Sequence, residues 1–401
     1  MTITEDIVRE AFLPFALPAI GEDEIAEVVD TLRSGWVTTG PKVKLFEDQF
    51  SEYTRATNSI ALNSCTAGLH LALAALGIGP NDEVIVPTFT FCATANVVVH
   101  LGARPVLVDI GPDFQIDPAA VEKAITGKTR AIMPVHYAGQ ACDLSAIYDL
   151  ASRHNLAVVE DAAHAIGSTY QGQMIGSDSL SSGYPDLRRA TAFSFYANKN
   201  MTTGEGGMVT TAADELARAL RTLSLHGMSK DAWKRYTNSG SWFYEVVAAG
   251  FKSNMTDIAA SLGIHQLRRL DGFIKTRQRY ARIYDDAFRD LEVVGTPITH
   301  PDRNHVYHLY AIQLDLTQLT IDRAVFIDKL KELNIGASVH FIPLHLHPFY
   351  RDQFGYHAGD LPQADSLYES VLSLPLYPRM SERDVNDVIE AVYHTASTYR
   401  R

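Results

Sequence analysis

The chain has 401 residues, a formal net charge of -12, and a hydrophobic share of 46%. That length holds one large domain and a smaller companion, and the acidic balance, with a pI near 5.6, argues against nucleic acid and anionic membranes as general partners. Its three cysteines, Cys65, Cys92 and Cys142, lie far apart, which speaks against a disulfide framework or a zinc site and fits a reducing, cytoplasmic setting.

At the N-terminus, Glu5, Asp6, Arg9 and Glu10 leave no signal-peptide core, and no later apolar run is long enough to span a bilayer. Short β-branched runs recur at 83–87, 105–109, 131–134 and 157–161, separated by helical periodicity at 118–125 and 144–154. Apolar strands alternating with helices predict an α/β fold with a mostly parallel sheet covered on both faces. Residues 176–189, rich in Ser, Gly, Asp and Pro, read as an exposed loop. After about Asp257 the pattern changes. Helices are expected at 258–270 and 275–291, strands at 308–314 and 337–341 around a helix at 323–333, and a last helix at 382–396. The expected division is a large domain, 1–257, and a smaller α+β domain, 258–401.

In sheets of this kind ligands sit beyond the carboxyl ends of the strands, so chemistry is sought there. Asn63-Ser64-Cys65-Thr66-Ala67-Gly68 opens a helical pattern with small hydroxyl residues. Such a start is an ordinary N-cap, but its free N–H groups and the helix dipole also favour an anion. Glu160-Asp161-Ala162-Ala163-His164 ends an apolar strand, where a carboxylate caps the next helix or faces a buried cation. Ser194-Phe195-Tyr196-Ala197-Asn198-Lys199 is followed by Thr202-Thr203-Gly204-Glu205-Gly206-Gly207, which places an amine beside the sheet. Lysine becomes a nucleophile and base when desolvation depresses its pKa.

In order and spacing these three segments resemble the DegT/StrS family of nucleotide-sugar aminotransferases. Four further stretches carry the likeness over nearly the whole chain: Gly35-Trp36-Val37-Thr38-Thr39-Gly40-Pro41, Pro87 to Thr94, Gly250 to Asp257 and His340 to His345. Within the family the chain looks most similar to the UDP-4-amino-4-deoxy-L-arabinose aminotransferases, through Leu13-Pro14-Phe15, the Trp36 block and Gly250 to Asp257. Two features depart from those relatives: Phe91 stands where they usually carry Trp, and 177–189 is longer than in many.

The resemblance implies fold type I of pyridoxal-phosphate transferases, with pyridoxal 5'-phosphate held on Lys199 as a Schiff base. It implies transfer of the amino group of L-glutamate to a nucleotide-linked keto-sugar, a UDP-4-keto-sugar by the nearer likeness, for lipid A, O-antigen or glycoside synthesis. Asp161 would partner the ring nitrogen, His164 would sit near the ring oxygen and Phe91 would stack on the ring. Ser64, Cys65, Thr66, Ala67 and Ser194 would hold the cofactor, with Asn254 reaching its phosphate from the neighbouring subunit of a homodimer. Thr38, Thr39, His340 and His345 would contact substrate. His340, His345 and His347 have no acidic or cysteine ligand beside them, so no metal is expected. The family's dehydratases replace the lysine with histidine, which Lys199 argues against. A lyase or aromatising branch keeps it and stays open, as does a regulatory protein that only binds the cofactor.

Overall fold

The apolar runs of the first half pair into one sheet. In the computed structural model, which describes residues 8–228 and 243–401 and so leaves Glu5 and Asp6 outside, its strands are β1 (Asn58–Leu62), β2 (Glu83–Pro87), β3 (Arg104–Val108), β4 (Thr129–Ile132), β5 (Ala157–Asp161), β6 (Arg189–Ser194) and β7 (Gly207–Thr211). Their spatial order is β1-β7-β6-β5-β4-β2-β3. Only β7 runs against its neighbours; the other pairings are parallel. The reversal follows from the chain: β6 leads through the Lys199 loop straight back into β7, whereas the parallel pairs β2–β3 and β4–β5 are joined by helices and β5–β6 by the long excursion 162–188.

Helices cover both faces. On one side lie α3 (Cys65–Ala75), α4 (Ala93–His100) and α7 (Asp214–Ser224), which bury Leu69, Leu73, Val97, Val98 and Leu220 against Val84, Val86 and Val159. The other side carries α2 (Pro41–Thr54), α5 (Pro118–Ala124), α6 (Leu144–Arg153) and the start of α8 (Asp257–Phe288), packed through Phe46, Phe50, Val121, Ile147 and Ile264. Strand β3 begins and ends one residue earlier than expected because Asp109 leaves the ladder. Its carboxylate instead accepts the N–H groups of Gln363 and Ala364, both at 2.9 Å, at the start of helix Pro362–Ser370.

The later half departs further from expectation. The two helices expected at 258–270 and 275–291 are one, α8. The gap between them holds Gly272, but a single Gly costs a helix only about 1 kcal/mol, and Leu270, Phe273, Ile274 and Arg277 are buried around it. The helix therefore runs from the main core into a second one, where Tyr280, Tyr284 and Phe288 meet Tyr310, Ile312, Leu372 and Val388. The expected strand at 337–341 makes only one bridge, Ser338 to Ser373. Its place beside Tyr310–Leu314 is taken by Val371–Leu374, while His340 and Phe341 turn toward the main sheet. The stretch 176–189 is exposed only in its middle. Gly176, Ser177 and Arg189 are buried, and Asp178 ties it down by accepting from the N–H (2.8 Å) and hydroxyl (2.6 Å) of Thr57. No helix among the described residues is long and apolar enough to cross a membrane.

Beneath the sheet lies a buried polar cluster. Glu160 accepts from His136 Nε2 (3.1 Å) and Tyr148 OH (2.7 Å), with Arg189 at 3.7 Å. Burial alone would raise this carboxyl, but Arg189, His136 and Tyr148 outweigh it and hold it below its ordinary value. Replacing Arg189 with Met strands a buried carboxylate, which costs roughly 3–5 kcal/mol of stability near neutral pH. A denaturant series should show it, and the deficit should shrink as pH falls toward the ordinary carboxyl value of 4.5, because without Arg189 burial makes the stranded group take up a proton more readily.

Candidate active site

The carboxyl ends of β1, β2, β4, β5 and β6 open onto a cavity of about 520 Å³. Ser64, Cys65, Thr66, Thr90, Phe91, Asp161, His164, Ser194, Tyr196, Lys199, Glu205, His308, His340 and Phe341 line it. Asp161 and Ser194 close their strands, Ser64 to Thr66, Thr90, Phe91, His164, Tyr196 and Lys199 lie just past strand ends, and His308, His340 and Phe341 come in from the later half of the chain.

Ser64 caps α3, its hydroxyl accepting the Ala67 N–H at 3.1 Å, while the Ser64 carbonyl takes the N–H of Gly68. Of the four N–H groups that a helix start leaves without intrahelical partners, those of Cys65 and Thr66 remain, at the cavity wall. Gly207 passes so close behind this turn that an added Cβ would stand 2.4 Å from the Ser64 carbonyl carbon and 2.5 Å from the Cys65 nitrogen.

Asp161 ends β5 and is buried. Its carboxylate accepts from Thr94 Oγ1 (2.9 Å) and the Ala163 N–H (3.1 Å), and Thr94 also contacts Thr90 Oγ1. Burial raises the Asp161 carboxyl nonetheless, against the lowering effect of those hydrogen bonds and of Lys199. Lys199 stands in a closed loop: the Phe195 N–H binds Gly206 O, the Thr203 N–H binds Phe195 O, and Gly204 at φ 80° makes the return. Desolvation lowers the Lys199 amine to about 8, with Asp161 and Cys65 opposing. His164 receives the Ala138 N–H at Nδ1 (3.2 Å), which leaves its ring hydrogen on Nε2, and burial with nearby Lys199 keeps it neutral.

Of the residues singled out in the sequence, Ser64, Cys65, Thr66, Phe91, Asp161, His164, Ser194, Lys199 and His340 meet in the cavity. Ala67 is one residue behind the wall. Thr38, Thr39 and Asn254 do not line it; Asn254 Nδ2 donates to Thr39 Oγ1 (2.6 Å), which in turn donates to Met255 O. His345 is fully buried elsewhere, its Nδ1 against Thr88 Oγ1 (2.8 Å) and its Nε2 against Asp365 (2.9 Å). Both ring nitrogens are engaged, so it has nothing left to offer a substrate and leaves the set. His308 was missed because it reads as the start of a strand, although the ladder begins only at Tyr310. Thr90 and Phe341 lie inside motifs that were quoted, but not among the residues chosen from them.

The sequence profile of the DegT/DnrJ/EryC1/StrS aminotransferase family matches residues 18–393. The chain belongs to that family. It is 52% identical to the spore coat polysaccharide biosynthesis protein SpsC of Bacillus subtilis over 386 residues, 96% of this chain and 97% of that one. A proposed sugar aminotransferase of Streptococcus pneumoniae, solved in a PMP form, superposes with a TM-score of 0.88 at 38% identity, covering 96% of this chain and 99% of that one. Helicobacter pylori PseC, an aminotransferase in pseudoaminic acid biosynthesis, gives 0.88 at 28% identity over 97% and 100% of the two chains. The protein is thus a pyridoxal-phosphate-dependent sugar aminotransferase of the α/β transferase fold, taking an amino donor and a sugar substrate.

The aminotransferase's cavity fits that cofactor by the chemistry of its donors. A buried carboxylate with no cationic side chain in hydrogen-bond contact among the described residues, Asp161, suits a protonated pyridine nitrogen. The free N–H groups of Cys65 and Thr66 at a helix start suit a phosphate. Lys199 is a desolvated amine able to bond an aldehyde.

Proposed function

We propose that the enzyme carries the amino group of L-glutamate onto a nucleotide-linked keto-sugar, in the first instance a UDP-4-keto-sugar, to make an amino sugar for a surface polysaccharide or another glycoside. The observation that carries this reading is the presence of Lys199, Asp161 and the start of α3 around one cavity. SpsC's role in spore coat polysaccharide and PseC's in pseudoaminic acid support a saccharide product. The likeness to the arabinose enzymes supports a carbon-4 ketone.

Bound pyridoxal phosphate supplies an electron sink for a carbanion at the donor's α-carbon. The rest falls to the side chains. Lys199 Nζ, neutral and with its lone pair free, takes the α-proton of the donor and holds it for return. Asp161 keeps negative charge against the ring nitrogen, so the sink stays cationic. Ser64, Cys65, Thr66, Ala67 and Ser194 fix the phosphate, with Asn254 reaching in from a second copy of the chain. Phe91, 58% exposed, would cover the ring face, and His164, whose ring hydrogen is on Nε2, would offer it to the ring oxygen. Thr38, Thr39 and His340 are the substrate contacts.

A homodimer is part of this reading. On α1 (Glu22–Ser34), Ile25, Val29 and Leu32 are 47%, 36% and 53% exposed along one face, an apolar stripe that a second copy would cover. Residues 1–257 would form the cofactor domain and 258–401 the smaller one, in a cytoplasmic enzyme.

The test is a visible spectrum of the loaded protein titrated with L-glutamate, then with a UDP-linked 4-keto-sugar. The cofactor band should convert to the pyridoxamine form with glutamate and return with the sugar. A band that ignores glutamate but responds to another amino acid removes glutamate as donor, and one that returns only with a different ketone removes the sugar assignment.

A further inference from the structure

One cavity residue has no part in the scheme above, and the structure holds it with unusual care. His308 Nε2 lies 3.5 Å from Lys199 Nζ, at the outer limit of a hydrogen bond and the only side-chain contact of that amine among the described hydrogen bonds. Its ring lies against that of His164, centroids 4.3 Å apart and the planes tilted by 39°. The other nitrogen, Nδ1, is buried with no hydrogen-bond partner among the described residues.

The segment around His308 is clamped from several sides. Arg277 of α8 donates from Nη1 to the carbonyls of Tyr307 (3.3 Å), His308 (3.3 Å) and Leu376 (2.5 Å). The N–H groups of Val306 and Leu309 bind the carbonyls of Gly139 and Ala138, and Asn200 Nδ2, one residue from Lys199, binds Val306 O at 3.3 Å. Gly139, at φ 100°, lets the strands approach: an added Cβ would stand 3.0 Å from both the His308 nitrogen and the His164 carbonyl. The imidazole is therefore delivered to the amine by the fold rather than by a mobile side chain.

The proton inventory then has one solution. An ammonium can only donate, so beside protonated Lys199 the Nε2 of a neutral His308 must accept, and its hydrogen resides on Nδ1. Because Nδ1 faces no acceptor, the ring cannot hand a proton onward. We infer that His308 is a positioning residue for Lys199, accepting a hydrogen bond from the protonated amine at Nε2 and, being a dead end, keeping that proton on Lys199 for return to the substrate. The charged and titratable groups facing this pair are Asp161 and Cys65 on the Lys199 side, and His164, His340 and Arg277 on the His308 side. Burial, then Lys199 and these neighbours, hold His308 neutral. The inference rests on Lys199 being the working amine.

The test uses the full chain loaded with pyridoxamine phosphate, where Lys199 is a free amine. Competitive acetylation across pH, read by the mass of the Lys199 peptide, gives the midpoint of its titration. The wild type should titrate below the ordinary lysine value of 10.5, since desolvation lowers the amine. His308→Phe removes the acceptor and should lower the midpoint by about one unit, and His308→Gln, whose amide oxygen reaches the same place, should restore it. A His308→Phe midpoint equal to or above the wild type overturns the inference. Should His308→Phe fail to fold, the nitrogen-15 spectrum of wild-type histidines decides. Hydrogen on Nδ1 supports the inference, and hydrogen on Nε2 overturns it. Borohydride reduction of the pyridoxal-phosphate form tests the other claim separately: cofactor mass absent from the Lys199 peptide refutes the assigned role of Lys199 while leaving the titration result intact.

Discussion

Lys199→Ala abolishes covalent attachment of the cofactor and lowers turnover by on the order of 10³-fold or more, since it deletes the amine that bonds the cofactor and the base that moves the proton. Stability should change little. Desolvation holds Lys199 at about 8, so the fold pays to keep it, and its removal leaves Asp161 still bonded to Thr94 and the Ala163 N–H. Lys199→Arg should fail as completely, because a guanidinium keeps its charge and cannot act as the base. Borohydride trapping, the visible spectrum and turnover check this together. An alanine variant within tenfold of the wild-type rate would remove Lys199 from the chemistry.

Asp161→Asn is the second large effect, with a different signature. The amide is nearly isosteric and still accepts the Ala163 N–H, so the cofactor should remain attached to Lys199 and the melting temperature should hold. What is lost is negative charge at a buried position, and with it the stabilisation of a cationic ring. Removing one preorganised electrostatic partner of this kind costs roughly 10²–10³-fold in rate. The same substitution also reaches Lys199. Asp161 raises that amine against desolvation, so in the asparagine variant the amine should titrate still lower than about 8. A variant that binds cofactor, titrates lower and turns over slowly meets the expectation; one with an unaltered rate refutes the pairing of Asp161 with the ring.

Much of the cofactor end of the site is local, and the chain alone determined it. A serine ahead of Cys65 to Ala75 caps a helix, and capping frees N–H groups whatever lies across the cavity. A carboxylate closing an apolar strand, Asp161, and a lysine before a glycine-rich return, Lys199, follow from the same short-range pattern, as do the bounds of β2 and β5. Tertiary structure alone decided the remainder. His308 meets Lys199 across 109 residues, and nothing in its neighbours distinguishes it from the chain's other histidines. His340 enters the cavity while His345, five residues on, is spent on Thr88 and Asp365. The gap expected between two helices at 271–274 became the middle of α8 because two cores grip the helix on either side of it. The physical reason is common to all three: caps, turns and strand ends are encoded by residues a few positions apart, whereas which polar side chain faces an amine depends on sheet order and helix packing summed over the whole fold.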